Sequence, residues 1–490
     1  MLFNSLQFLI FFPIVTLVYF LIPHKIRYLW LLGASYYFYM CWNPEYALLM
    51  ATSTVITYAS GIFIDKGKTE LSRKIMVGIS FTLNLAILFY FKYFYFTVDN
   101  INAIRQLLGL SVLTPKFDVI LPVGISFYTF QALSYTVDVY RKELEPEKNI
   151  LKYALFVSFF PQLVAGPIER SKNLIKQVHE RHYFDYNRVR SGLLIMLWGF
   201  FLKLVIADRA AILVNTAYDN PENFSGLLLT VATVTFAVQI YCDFASYSII
   251  ALGAAKVMGF ELMKNFEQPY LSTSIAEFWR RWHISLSSWF KDYLYIPMGG
   301  NRKGAFRKYF NLMTVFLVSG LWHGASWHYV IWGAVHGVYQ IVGGSSKNFR
   351  RFVCAILNID RNTAHYKLFQ RFVTFVLVCF AWIFFRSANM TQANLIIGKI
   401  FTDFEPWSIY GGGLTSMGLD GANLVVLAVS LAILCFVSIW EHRGVPVVKK
   451  IEGMHIFARW PIYYGLLFAV LIFGIYGPGF AASQFIYFQF

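Results

Sequence analysis

The sequence predicts an all-α, polytopic membrane protein, and three observations carry that prediction. Of its 490 residues 57% are hydrophobic and only 14% are charged, against roughly 25% charged in a soluble globular chain. The charges fall in clumps between apolar runs long enough for helices that cross a bilayer. The cations among them flank those runs in short loops, the positive-inside distribution of a multi-pass protein. The net charge of +16 therefore reads as membrane topology and excludes a nucleic-acid-binding role. The partner that composition implies is the lipid bilayer. Cys41, Cys242, Cys354, Cys379 and Cys435 are scattered without CxxC or zinc-type spacing, so neither a disulfide framework nor a metal site follows.

Taken in order, the apolar runs near 6–22, 28–42, 46–64, 75–95 and 119–139 are each expected to cross, at about 20 residues per span. No basic region precedes the first run, so no cleavable signal is expected, and Lys25 and Arg27 after it predict an N-terminus outside. The run 150–168 holds Pro161, Gly166 and Pro167 and is followed by a basic loop from Arg170 to Arg190. A re-entrant segment satisfies both facts, provided protein covers its broken backbone. Spans near 191–215 and 225–259 follow. The pair 309–324 and 325–344 is basic at both ends, at Arg307/Lys308 and Lys347/Arg350/Arg351, and reads as a hairpin dipping from the cytoplasm. Runs near 371–386, 424–440 and 461–477 complete about ten crossings. No internal repeat is evident, and one membrane domain over 1–490 is expected, with its core at about 119–345.

The most informative stretch is Ser319–Trp327, SGLWHGASW. A histidine in so apolar a run must have partners or a role, because burying it bare is unfavourable. Trp322 and Trp327 are expected to wall His323 in, with Gly320 and Gly324 leaving room for something to approach the ring. Phe310 to Trp322 spans roughly 20 Å of helix, which sets His323 deep. A plain packing histidine is the competing reading. His328 and His336 lie five and eight residues on. On a continuous helix the first would point about 140° away from His323, poor geometry for a shared metal. His336 reads as a packing or interfacial residue.

A second stretch, Glu277–Asp292, alternates aromatic residues with cations and small hydroxyls. It reads as an amphipathic helix at the inner surface with snorkelling arginines, which explains Arg280 and Arg281 better than His283 between Trp282 and Ile284. The glycine turn after Tyr293–Tyr295, Met298-Gly299-Gly300-Asn301-Arg302-Lys303-Gly304, suits either a phosphate cradle or a basic headgroup loop. Gln239 to Tyr247 places Asp243 inside an apolar segment. Such a carboxylate pairs with an arginine or histidine, or orients an imidazole.

With these residues in view, the chain resembles the membrane-bound O-acyltransferases. The likeness is greatest to the bacterial branch that O-acetylates alginate and other envelope polysaccharides, peptidoglycan among them. The matching motifs run from Leu121–Gln131 through Phe160–Ile168, Phe278–Trp289, Tyr293–Arg302 and the LWHGASW stretch to Phe485–Phe490. The resemblance implies that His323 is the family's catalytic histidine and His283 its second signature position, occupied by His or Asn. It also implies a ring of tilted helices around a central tunnel, with Gln239, Asp243, Trp322, Arg280, Arg281 and Tyr295 as candidates to line it or bind substrate. Relatives read like D-F-S-G-Y-S-D, whereas here Ala245, Ser246 and Ile249 interrupt the pattern, so Asp243 is expected to carry the local charge alone.

The implied activity is transfer of an acetyl group from a cytoplasmic thioester, acetyl-CoA, across the plasma membrane to an extracytoplasmic glycan acceptor. No resident cofactor is expected, and an SGNH-like extracytoplasmic partner is. Neutral imidazole suits the removal of a hydroxyl proton, and no GxSxG-type nucleophile is present. Direct attack by the acceptor, with His323 as base, is thus the simplest chemistry. D-alanyl transfer from a carrier protein to teichoic acid remains an alternative. A non-catalytic acyl or glycan transporter is a rival of another class, though the paired repeats common in transporters are not seen.

Overall fold

A computed structural model of the chain describes residues 1–116, 121–164 and 166–477. Phe485–Phe490, Val119 and Ile120 of the fifth expected span, and Ala165 of the re-entrant run lie outside the described residues. Those described are predominantly α-helical and fall into two compact units, Met1–Leu193 with Ile250–Met263, and Leu194–Ile249 with the chain from Lys264 onward.

The first unit begins with α1 (Leu6–Leu21), α2 (His24–Met40), α3 (Glu45–Lys66), α4 (Glu70–Leu107, a single helix with a π turn at Phe89–Tyr93) and α5 (Ile125–Tyr140). Small and hydroxylated side chains join these helices, as expected where water cannot compete for hydrogen bonds. Ser53 Oγ donates to Asn84 Oδ1 at 2.5 Å, and Ser80 and Thr136 hydroxyls meet at 3.1 Å. Gly61 lets α3 approach Tyr135, whose ring would lie 2.7 Å from an added Cβ.

Then come α6 (Ile150–Ser158), α7 (Phe160–Leu163) and α8 (Ser171–His179). The helix break expected in this run falls at Phe159, just ahead of Pro161. The residues at the break are buried, and side chains from other segments bond its backbone. The Phe156 carbonyl accepts from Gln131 Nε2 at 2.6 Å and Gln162 Nε2 at 2.9 Å, and the Phe160 N–H donates to Ser35 Oγ at 3.1 Å.

Two long helices follow, α9 (Tyr186–Asp219) and α10 (Gly226–Met258). Within α9 a π segment, Phe201–Ala207, widens the turn. The second unit contains the later part of α9 and most of α10. It continues through α11 (Ile275–Arg281), α12 (Ile284–Phe290, prolonged as a π turn to Tyr295), α13 (Gly304–His323) and α14 (Trp327–Ser345). The chain then forms α15 (Lys347–Ile356), α16 (Ala364–Arg386), α17 (Met390–Thr402), α18 (Gly421–His442), α19 (Val447–Glu452) and α20 (Ile456–Phe473).

A helix falls within each of the expected spans, and seven among the described residues are long and apolar enough to cross a bilayer: α3, α4, α9, α10, α16, α18 and α20. The helices at Leu6–Leu21, His24–Met40 and Ile125–Tyr140 are shorter, at 16, 17 and 16 residues.

The predicted hairpin is present as α13 and α14, packed antiparallel through glycine. A Cβ at Gly320 would lie 2.3 Å from the Tyr329 carbonyl oxygen, and one at Gly333 2.2 Å from that of Phe316. The space expected over two of the hairpin glycines is filled. Gly320 and Gly324 leave no room beside the imidazole, because the Tyr329 backbone and ring fill the space over them. Their smallness sets the hairpin spacing.

Candidate active site

The second unit assembles His283 and His323 in one buried cluster. His323 is the last residue of α13, at the tip of the hairpin. The Gly324 N–H closes the helix onto Gly320, and Ser326 starts the return into α14. The imidazole is 3% exposed. Trp322 packs against it edge-on with centroids 5.0 Å apart, Trp332 at 5.0 Å and Phe385 of α16 at 5.4 Å. Trp327, expected as a wall, is 55% exposed. The walls opposite Trp322 are instead Trp332 and Phe385, whose side chains come from positions that local sequence spacing did not single out.

His283 is reached differently. Ser274 caps α11 by accepting the Glu277 N–H at 3.2 Å, and the helix stops when Trp282 turns extended. His283 itself takes φ 44° and ψ 56°, the left-handed region. That region is uncommon for a residue with a Cβ and typically unfavourable by about 1–3 kcal/mol. The surrounding backbone holds it there, with the Ile284 N–H on the Asn265 carbonyl at 2.9 Å and the Ser285 N–H on Asn265 Oδ1 at 3.3 Å. The expected continuous amphipathic helix over 277–292 is therefore two helices broken at His283. The break turns the ring inward, fully buried, against Phe244 at 4.6 Å and Trp322 at 5.9 Å. The His283 and His323 ring centroids lie 6.4 Å apart at 55°.

Asp243 is buried on α10, next to Phe244. A lysine is among its charge partners. Lys203 Nζ lies 2.6 Å from Asp243 Oδ1 and 2.8 Å from Asp208 Oδ1, with all three side chains buried. Asp243 thus does not carry the local charge alone, since Asp208 supplies a second carboxylate where position 249 holds isoleucine. Lys203 sits on the π segment of α9, whose altered hydrogen bonding leaves the Leu204 carbonyl to the Ile475 N–H at 2.9 Å. Lys203 and Asp208 were missed in the sequence, although a lone lysine five residues before an aspartate in an apolar span is itself a signal.

The other candidates separate. Gln239 is buried one turn before Asp243, and its Oε1 accepts no hydrogen bond among the described residues. Arg280 is exposed, and Arg281 pairs with Glu277 at 2.9 Å. Burial works against the Glu277 charge, but hydrogen bonds from the Thr273 hydroxyl and N–H, together with Arg281, hold its carboxyl below the usual range. Tyr295 is half-buried beside Gly300 in a turn where Gly299, Gly300 and Gly304 all take positive φ. His328 meets the Phe384 carbonyl at 3.0 Å, and His336 accepts from Trp279 Nε1 at 3.2 Å. Among the described residues no group of three or more His, Cys, Asp or Glu side chains is placed to hold a metal ion.

Fold and site together define a multi-pass, all-helical membrane protein with two histidines facing each other in a buried aromatic cluster. The chain belongs to the membrane-bound O-acyltransferase family, whose model matches residues 4–386. It is thus an O-acyltransferase and a multi-pass bacterial membrane protein, and the transporter reading is set aside. It is 39% identical to the probable alginate O-acetylase AlgI of Pseudomonas putida, over 88% of this chain and 87% of that protein. It is 33% identical to the peptidoglycan O-acetyltransferase of Helicobacter pylori, over 81% and 79%. A teichoic acid D-alanyltransferase of Bacillus subtilis is 28% identical over 46% of this chain and 59% of that protein.

Proposed function

We propose that this protein transfers an acetyl group from a cytoplasmic thioester, acetyl-CoA, for O-acetylation of an extracytoplasmic polysaccharide, with His323 as general base. The observation that carries the reading is the facing of His283 and His323, two buried rings 6.4 Å apart. The near-full-length likeness to proteins named for O-acetylation favours acetyl over D-alanyl as cargo.

His323 takes the proton of the acceptor hydroxyl as its oxygen attacks the thioester carbonyl. The tetrahedral intermediate collapses by breaking the C–S bond, and the imidazolium returns the proton to the departing thiolate. The ester is formed, the thiol is released and His323 is regenerated. His283 positions or polarises the reacting carbonyl. Gln239, Asp243, Trp322, Arg280, Arg281 and Tyr295 serve the substrate path, and an SGNH-like partner completes delivery to the glycan. The whole chain works as one membrane domain.

The test is alkali-labile acetate on envelope glycans in a deletion strain complemented at matched expression. Wild type restores acetate and His323→Ala does not. Full restoration by a folded His323→Ala protein overturns the base assignment. Acetate unchanged in a deletion strain lacking any second copy overturns the cargo, and D-alanine esters become the next quantity to measure.

A further inference from the structure

Away from the paired histidines, three cationic or ring-nitrogen side chains of the second unit converge without enough acceptors between them. Arg281 at the end of α11 places Nη1 3.2 Å from His442 Nδ1, and Arg371 in α16 places Nη2 3.1 Å from His442 Nε2. A neutral imidazole offers one lone pair and one N–H, and a protonated one offers two N–H groups. At least one of these contacts therefore sets donor against donor.

The neighbours do not relieve it. Arg281 also donates to the Glu267 carbonyl at 3.2 Å and pairs with Glu277 at 2.9 Å. That carboxylate is already shared with the Thr273 N–H at 2.9 Å and hydroxyl at 2.7 Å. Arg371 Nε donates to the Leu271 carbonyl at 3.1 Å, and among the described residues Arg371 forms no ion pair. Among the described residues Arg281 pairs with a carboxylate and Arg371 with none, and all three side chains are half-buried and so open to a ligand.

We propose that Arg281, Arg371 and His442 form a phosphate-binding site. A tetrahedral anion supplies the missing acceptors and suits the guanidinium fork. Arg371 and His442 adjoin in sequence the basic stretches 347–367 and 443–459, which the charge distribution assigns to the cytoplasm. Arg371 stands fourteen residues before Phe385 on α16, roughly 20 Å along the helix from the ring that packs on His323. The phosphate belongs either to a soluble thioester donor bound at that distance or to a lipid headgroup. The inference does not rest on the role given to His323.

The experiment uses the full chain in phosphatidylcholine nanodiscs, with radiolabelled 3′,5′-adenosine diphosphate as the soluble probe. Phosphatidylglycerol mixed into the discs, with retained lipid counted by native mass spectrometry, is the second probe. Wild type is expected to bind one probe. Arg371→Gln weakens it at least tenfold, Arg371→Lys falls between, and His323→Ala binds as wild type does. Nucleotide binding lost in Arg371→Gln assigns a soluble phosphate, and lipid retention lost there without nucleotide binding assigns the headgroup. If Arg371→Gln misfolds, Glu277→Gln decides, because removing the competing carboxylate should tighten binding at least threefold. Failure of both probes on wild type, binding indifferent to Arg371→Gln, or no tightening in Glu277→Gln overturns the site.

Discussion

Lys203 Nζ lies 2.6 Å from Asp243 Oδ1 in the interior of the second unit, and the lysine is 1% exposed. With Asp208 2.8 Å away on the same nitrogen, two buried carboxylates meet one buried cation. Removing one partner of a buried pair leaves an uncompensated charge and typically destabilises by about 3–5 kcal/mol. Lys203→Met, which takes the shared cation from both carboxylates, is expected to lower the unfolding temperature in detergent more than Asp208→Asn, which leaves Lys203 paired with Asp243. Equal effects from both variants would mean that the cluster is wet and weakly coupled.

His283 gives a prediction in which backbone and side chain separate. Asparagine enters the left-handed region more readily than most residues that carry a Cβ, and it keeps hydrogen-bonding groups near the His323 ring. His283→Asn should fold like wild type and retain more glycan acetylation than His283→Ala. His283→Val should add backbone strain and lose stability by a further 1–2 kcal/mol or so. At His323, replacement by either Asn or Ala should lower transfer by about 10²–10⁴-fold, the range for a lost general base. The ratio of the two Asn variants' activities, measured on matched membranes, separates a positioning ring from a proton acceptor.

The hairpin supplies a third prediction. Gly320→Ala and Gly333→Ala each push a methyl group into a backbone carbonyl, at 2.3 and 2.2 Å. Overpacking of this kind typically costs about 1–3 kcal/mol. Because His323 ends α13, splaying the hairpin should also lower acetyl transfer. Gly343→Ala is the control, since a Cβ there meets nothing within 4 Å. Stability and activity should fall together at positions 320 and 333 and stay unchanged at 343.

Glu277 sets the sign of one pH effect. Its folded carboxyl lies below its unfolded value, held down against burial by Thr273 and Arg281. Its contribution to stability is therefore fully present above the unfolded carboxylate range and is lost as pH falls through the folded value. In Glu277→Gln the loss of thermal stability on acidification through that window should be smaller than in wild type. An unchanged acid limb would mean that the Thr273 and Arg281 contacts do not persist in solution.

How much of this was legible in the sequence depends on which force sets each feature. Hydropathy and flanking cations place the long helices and the hairpin around His323, because the lack of water in the membrane leaves helices as the economical solution. The pairing of Asp243 with Lys203 was not legible. A lone carboxylate in an apolar run announces that it needs a partner, but the partner's identity is set by helix packing across forty residues. The break at His283 escaped notice because no Gly or Pro marks it; the constraint comes from Asn265, eighteen residues earlier. Gly320 and Gly324 were read as empty space because small residues look the same in sequence whether they admit a ligand or another helix.

Gln239 offers the last prediction, and it separates a structural from a substrate-binding role. Its side-chain oxygen is buried without a partner among the described residues, an arrangement that typically costs about 1–3 kcal/mol. Replacing a stranded acceptor by an apolar side chain of similar size removes that penalty, so Gln239→Met should be as stable as wild type or more stable. If the oxygen serves only the fold, acetyl transfer should be unaffected or improved. If it waits for a donor group on the substrate, Gln239→Met should instead lose about 1.5 kcal/mol of transition-state binding, roughly tenfold in kcat/KM. A rise in KM at unchanged kcat would place the contact in the ground state, and a fall in kcat alone would place it in the transition state. A more stable protein with lower kcat/KM is the expected result, because a stability penalty tolerated beside Asp243 is accounted for by a contact that forms only when substrate is bound.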